Sequence, residues 1–114
     1  MPRYFTPYQA NAVLDEIRPL MEEVVRIRME IQARQPELWP AIQRSVGNGG
    51  SVELSRLFVD FGRLDKLVHR IQDTGAHIKD LNVGLMDFPA LRQGREVYLC
   101  WRYGEDRIEF WHDL

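Results

Sequence analysis

A long apolar repeat near the start of the chain constrains the fold more than any other feature. Its members recur in alternating steps of three and four, the spacing of one face of an α-helix, for about three heptads. The repeat consists of Ala10, Val13, Ile17, Leu20, Val24, Ile27 and Ile31. Pro19 falls inside it, but the apolar phase is the same on both sides. We therefore predict one continuous helix, kinked at Pro19, over about residues 7–35.

The start of this helix carries a capping signal. Thr6 is a suitable N-cap residue, and Pro7 follows at the first helical position, where no hydrogen bond is lost. Gln9, three residues after Thr6, completes a capping box. The helix is thus expected to begin at about Pro7.

A second helix is predicted after a linker. Pro36, Pro40 and the glycine-rich residues 47–50 predict a linker over 36–50. Ser51 is a suitable N-cap, and Gly75 stands where a C-terminal glycine is expected. The same apolar spacing recurs between them in Leu54, Leu57, Phe61, Leu64, Val68 and Ile71. Helices over 7–35 and 51–74 would form an antiparallel helical hairpin.

Beyond Gly75 the pattern changes to short apolar stretches separated by turn residues. These stretches predict strands over 76–79, 85–88, 97–102 and 108–112. Gly104-Glu105 predicts a two-residue hairpin loop that pairs Trp101 with Ile108 and places Phe110 on the apolar face. Residues 76–114 should therefore form a small antiparallel β-sheet packed on one end of the hairpin. The predicted fold class is α+β, in a single domain over 1–114.

Composition and charge restrict the setting in which the protein works. A net charge of -2 gives no general attraction to nucleic acid, so a nucleic-acid partner is not expected. No stretch approaches the roughly 18 apolar residues of a membrane span, and the start lacks a secretory signal. The single cysteine, Cys100, excludes an intrachain disulfide. We expect a cytoplasmic protein that does not associate with membranes.

The length of the first helix points to assembly. At about 1.5 Å per residue it would be roughly 40 Å long, whereas the strands reach only about 20 Å. The remaining apolar surface must be covered by a second copy, by a different partner, or by the segment around Trp39 folding back. A homodimer is favoured, because a two-fold axis lets the uncovered stripes meet in a four-helix bundle. Its expected interface comprises Val24, Ile27, Ile31, Leu54, Leu57, Phe58, Phe61 and Leu64.

Polar residues in the last third of the chain form the candidate ligand site. They are Asp80, Asp87, Arg95, Glu105 and His112. Carboxylates and imidazoles are common metal ligands, so a divalent metal is the cofactor hypothesis here. Their spacing matches no compact ligand motif, and the carboxylates fit turn-capping roles equally well. His112 can also be a hydrogen-bonded residue on the apolar face. The identity of any cofactor or small-molecule ligand is left open.

Several segments of the chain also match a known sequence pattern. They are residues 3–6, Asn11-Ala12, 18–20, 79–81, 84–90, 94–101, Gly104-Glu105 and Trp111-His112. In these segments the chain resembles an uncharacterised prokaryotic family catalogued as domain of unknown function 2203. The resemblance covers nearly the whole chain and implies a bacterial source, but it carries no activity. The residues that carry the resemblance are concentrated between positions 79 and 112, so the resemblance suggests that any functional site lies in this part of the chain.

Two functions from different classes follow from these patterns. The favoured one is a small homo-oligomeric binding or scaffold protein, assembled through its helical hairpin. The alternative is a metal-dependent enzyme or metal-binding protein with a carboxylate and histidine site at the strand-rich end. The sequence does not establish whether the protein is an enzyme.

Overall fold

The architecture combines helices with one antiparallel sheet, as predicted for an α+β protein. The computed structural model describes residues 3–34, 36–46 and 59–113. The helices are α1 (Pro7–Arg34), α2 (Trp39–Ser45) and α3 (Val59–Asp73), with a 3₁₀ turn at Pro36–Leu38. The strands are β1 (His77–Asp80), β2 (Leu85–Arg92), β3 (Arg95–Arg102) and β4 (Phe110–Asp113). In the described part of the chain, no helix is long and apolar enough to cross a membrane.

Helix α1 begins at the predicted capping box. The backbone N–H of Gln9 donates to Thr6 Oγ1 at 3.1 Å, and the N–H of Thr6 donates to Gln9 Oε1 at 3.0 Å. The helix continues through Pro19, which lies on the solvent side, where water can satisfy the carbonyl that loses its partner. The apolar repeat faces the core, and all of its members except the partly buried Val13 are buried.

Helix α3 packs against α1 in the opposite direction. Arg3, just before α1, donates from Nη1 to the carbonyl of Thr74, just after α3, at 2.7 Å. Further along, Arg63 of α3 pairs with Glu23 of α1 at 2.7 Å. These two contacts fix an antiparallel pair of helices. The predicted start of the second helix at Ser51 lies outside the described residues.

The predicted linker contains helical structure that folds back onto the helix pair. Trp39 and Ile42 of α2 are 3% and 0% exposed, and Val46 is also buried. The Trp39 indole donates to Asn82 Oδ1 at 3.2 Å, which ties α2 to the turn between β1 and β2. Pro40 stands in the first turn of α2, where the missing N–H costs nothing. The linker prediction was wrong here because this proline starts a helix.

The fold-back removes the surface expected to form the oligomer interface. Val24, Ile27, Ile31, Phe61 and Leu64 are between 0% and 3% exposed within one chain. They therefore have little surface to offer a partner. Leu54, Leu57 and Phe58 lie outside the described residues. Assembly itself stays a prediction, but these five residues no longer support it.

The four strands follow one another across the sheet in the order β1-β2-β3-β4. All neighbours are antiparallel. Strands β2 and β3 are joined by Gln93-Gly94, both at positive φ (53° and 77°), as a type I′ turn requires. The helix-facing side is the inner face, and its central residues are at most 6% exposed. They are Met86, Phe88, Ala90, Val97, Leu99 and Trp101.

The predicted register of the last hairpin was wrong by one residue. Strand β4 pairs Trp111 with Leu99 and Phe110 with Cys100, so Trp101 and Ile108 are not cross-strand partners. A slip of one residue moves every side chain to the other face. The predicted place of Phe110 on the apolar face concerns a side chain outside the described part of the structure, and only its backbone pairing with Cys100 is described.

The physical reason for the slip lies in the loop before β4. The turn spans residues 102–105, because the N–H of Glu105 donates to the Arg102 carbonyl at 3.0 Å. Ile108 then pairs with a side chain: its N–H donates to Asn11 Oδ1 at 2.8 Å, and Asn11 Nδ2 donates back to its carbonyl at 3.3 Å. Asn11 of α1 thus takes the place of a neighbouring strand.

Candidate functional site on the open face of the sheet

The face of the sheet that points away from the helices is the candidate functional surface. We call it the open face, and define it by eight alternate residues of the two central strands. They are Leu85, Asp87, Pro89 and Leu91 on β2 and Glu96, Tyr98, Cys100 and Arg102 on β3. His77 of β1 lies beside them, opposite Asp87.

The open face is more apolar than a solvated sheet face usually is. Antiparallel strands with one face in water normally alternate apolar and polar residues. Here five of the eight defining residues are apolar, and β3 is continuously apolar over 97–101. Continuous apolar runs are typical of strands that are covered on both faces. The sequence of β2 and β3 thus fits a sheet with a further layer on its open side.

A carboxylate is buried in the middle of this face. Among the described residues Asp87 is the buried charged side chain, with 7% exposure. It lies between His77 on β1 and Cys100 on β3, in one row across three strands. The rings of His77 and Tyr98 meet edge to face across β2, with centroids 6.2 Å apart. These neighbours lie around the carboxylate on the open face.

The surroundings of Cys100 hold its thiol in the neutral form. Burial raises the pKa of the thiol, and the negative charges of Asp87 and Glu105 raise it further, against the opposing effect of Lys79. Reactive cysteines have a lowered pKa, because the thiolate is the nucleophile. The backbone of His77 lies two strands from that of Cys100, about 10 Å away, with Asp87 between them, and the His77 ring packs against Tyr98. This row therefore lacks the direct contact between thiol and base that nucleophilic catalysis requires.

The raised pKa of Cys100 predicts a loss of stability at alkaline pH. A folded-state pKa above the unfolded value stabilises the fold below the unfolded pKa, and this contribution disappears as pH rises through the folded pKa. The free energy of unfolding of the wild type should therefore fall more steeply than that of Cys100→Ala from about pH 8.5 upward. Urea titrations of both proteins at several pH values between about 7 and 10 measure the two slopes. Parallel slopes would contradict the assigned environment.

The five residues of the predicted ligand site do not share one location. Asp80 accepts a hydrogen bond from the N–H of Asn82 at 2.9 Å and so stabilises the turn after β1. Glu105 accepts from the N–H of Arg102 at 2.6 Å in the next turn. Arg95 begins β3, about 23 Å from Arg102 at its other end.

The other two predicted site residues belong to the open face. Asp87 lies at its centre, and the backbone of His112 pairs with that of Tyr98, while the His112 side chain lies outside the described part. Within the described residues, no three histidine, cysteine, aspartate or glutamate side chains come close enough to hold a metal ion. The metal hypothesis thus gains no geometric support there.

Sequence reasoning identified Asp87 and singled out His77 among the polar residues of the last third, but it did not predict which residues meet around Asp87. His77, Tyr98 and Cys100 meet around this carboxylate because of the strand register. The sequence feature that could have revealed this arrangement is the Gln93-Gly94 dipeptide. A two-residue type I′ turn at this position fixes the register that pairs Asp87 with Cys100.

Together, the fold and the open face define a small α+β protein whose sheet is covered by helices on one side. Residues 3–114 match the family described as an uncharacterized conserved protein (DUF2203), and the chain belongs to that family. No curated protein and no solved structure matches it.

The segments that carried the resemblance have identifiable structural roles. Thr6 caps α1, Asn11 holds Ile108, and Arg18 donates to the carbonyl of Asp106. Gly84 lies directly beneath Tyr103, where a Cβ atom would approach the Tyr103 Cβ to 2.7 Å. These contacts position the loop and turn around the sheet, whereas Asp87 and its neighbours form the open face.

Proposed function

We propose that this protein is a binding or scaffold protein whose working surface is the open face of the sheet. The observation that carries the proposal is the apolar character of both faces of β2 and β3, although the helices cover only one of them. Large apolar side chains on the surface of a soluble protein mark a binding site when they lie together. On this face Leu91 is 57% exposed, and Tyr4, which hydrogen-bonds to Glu96, is 37% exposed.

The chemistry of the face supports binding over catalysis. The Cys100 thiol is neutral, and Asp87 is already buried within one chain. Both groups therefore contribute shape and hydrogen bonding to a contact surface. A free thiol also fits the reducing cytoplasm, which is the location that we propose.

Cys100 provides a direct test, because it is the only cysteine in the sequence and lies on the open face. If a partner covers this face, a membrane-permeable maleimide should alkylate Cys100 several times more slowly in intact cells than in dilute purified protein. Mass spectrometry of the intact protein measures both rates.

A second cysteine position supplies the matched control. In the variant Cys100→Ser/Ala33→Cys, the thiol stands on the exposed side of α1, away from the sheet. The alkylation rate of this thiol is also measured in cells and in dilute solution. The ratio of these two rates corrects the Cys100 rates for the difference in reagent concentration. Equal normalised rates at the two positions would show that the open face is uncovered in cells, and the proposal would fail.

A further inference from the structure

We propose that the partner of the open face is a second copy of this chain, packed face to face about a two-fold axis. The axis lies in the interface, perpendicular to the strands, above the Phe88 and Leu99 pair. The inference rests on the proposed function and names the occupant of the same surface.

The register of β2 and β3 makes the open face complementary to itself about this axis. Phe88 and Leu99 are cross-strand partners at the middle of the two strands. Rotation about an axis above them reverses the strand direction and brings together residues equally far from the middle. Leu85 then faces the partner's Leu91, and Arg102 faces the partner's Glu96. Because the contact is isologous, each of these pairs occurs twice.

The charges at the two ends of β3 select this orientation. Arg102 and Glu96 lie on the same face, six residues or about 20 Å apart. Glu96 is oriented by the Tyr4 hydroxyl, which donates to its Oε2 at 3.2 Å. None of the ion pairs among the described residues includes Arg102. A two-fold axis parallel to the strands would instead gather both arginines at one end and both glutamates at the other, and like charges repel.

The same symmetry covers the centre of the face. The partly exposed Cys100 lies opposite the partner's Tyr98, which makes this pair the contact at the centre, because Asp87 and Pro89 are already buried within one chain. Aromatic and apolar groups thus come together over the row that contains the carboxylate. The thiol of Cys100 therefore becomes inaccessible when the second copy binds.

The size of the face sets the strength of the contact. Two strands of eight residues flanked by two of four cover a planar area of roughly 400 Å². A standard interface buries about 800 Å² on each partner. We therefore expect a reversible dimer that dissociates in the micromolar range.

Charge reversal at the two ends of β3 tests the arrangement. Sedimentation velocity of the purified wild type should show monomer and dimer exchanging over the micromolar range, and Cys100 should react more slowly with maleimide as protein concentration rises. Glu96→Arg places two arginines at each contact and should raise the dissociation constant on the order of tenfold or more. The double variant Glu96→Arg/Arg102→Glu restores opposite charges and should return it to near the wild-type value.

The control variant is Glu22→Arg, which makes the same change of charge at an exposed position of α1. It should leave the dissociation constant unchanged. Circular dichroism confirms that each variant is folded. A wild type that stays monomeric at high micromolar concentration, a double variant that does not recover, or a dimer in which Cys100 stays fully reactive would overturn the second-copy assignment. A monomer whose Cys100 is nevertheless protected in cells would leave the proposed function standing with a different partner.

Discussion

Trp39→Ala is expected to lower the free energy of unfolding by about 3 to 5 kcal/mol, the range for truncating a buried tryptophan. The indole is 3% exposed and forms part of the layer that α2 lays over the helix pair. Its truncation also removes the hydrogen bond to Asn82, which joins α2 to the turn between β1 and β2. Urea denaturation followed by far-ultraviolet circular dichroism measures the loss.

The matched control for this change is Tyr8→Ala, at a side chain that is 85% exposed on α1. An exposed substitution of this kind should change the free energy of unfolding by less than about 0.5 kcal/mol. A loss at Trp39 no larger than the loss at Tyr8 would mean that the Trp39 segment does not cover the helices. The apolar stripe of the helices would then be uncovered within one chain, and a second chain would again be needed to bury it.

Gly84→Ala is the second substitution with a large expected effect, about 2 to 5 kcal/mol. The backbone at Gly84 has φ +67°, and a side chain in the left-handed region costs about 1 to 2 kcal/mol. The new Cβ would also stand 2.7 Å from the Tyr103 Cβ, and such overpacking costs about 1 to 3 kcal/mol. The Tyr103 N–H donates to the Gly84 carbonyl at 2.9 Å, which limits how far the two can move apart.

Gly94→Ala separates the two contributions. Gly94 also has a positive φ, +77°, but no atom lies within 4 Å of the position that its Cβ would occupy. Its substitution should cost only the backbone component, about 1 to 2 kcal/mol. Chemical denaturation of both variants gives the difference, and equal losses would show that the contact with Tyr103 contributes nothing.

The features predicted from sequence were those set by neighbouring residues. The capping box of Thr6 and Gln9 closes within three positions, so its pattern is visible in the chain itself. The continuity of α1 through Pro19 followed from the unchanged apolar phase. The strand-rich character after Gly75 was likewise local, because turn residues separate short apolar stretches.

The features that sequence reasoning missed depend on residues far apart in the chain. The hairpin loop looked like a two-residue turn, but Asn11 binds Ile108 across 97 positions and shifts the register. The segment around Trp39 was predicted as a linker, and its folding back was only one of three alternatives, because burial and the hydrogen bond to Asn82, 43 positions away, stabilise its helix. No local pattern encodes such contacts.

In the candidate site, too, residue types could be predicted from the sequence, whereas contacts between distant residues could not. Asp87 was identified from its residue type, but the strand register is what places it between His77 and Cys100. Arg95 was grouped with it as a cation that could compensate the carboxylates of the strand-rich end, whereas the hairpin places Arg95 at the far end of β3. Had the turn between β2 and β3 been recognised, it would have shown that Asp87 and Arg95 lie at different positions along the hairpin.

The contact between Asn11 and Ile108 has a consequence for how the chain folds during synthesis. Helix α1 is translated first, but the inner-face residues that bury its apolar stripe extend to Trp101, and the residue held by Asn11 comes later still. During synthesis, part of the apolar stripe of α1 therefore stays uncovered until these strand residues have also been made, and exposed apolar surface of this kind is prone to aggregation. The four strands, by contrast, pair with their successive neighbours and can form as soon as they emerge. The strands, which are translated after α1, thus complete the core that covers its apolar stripe.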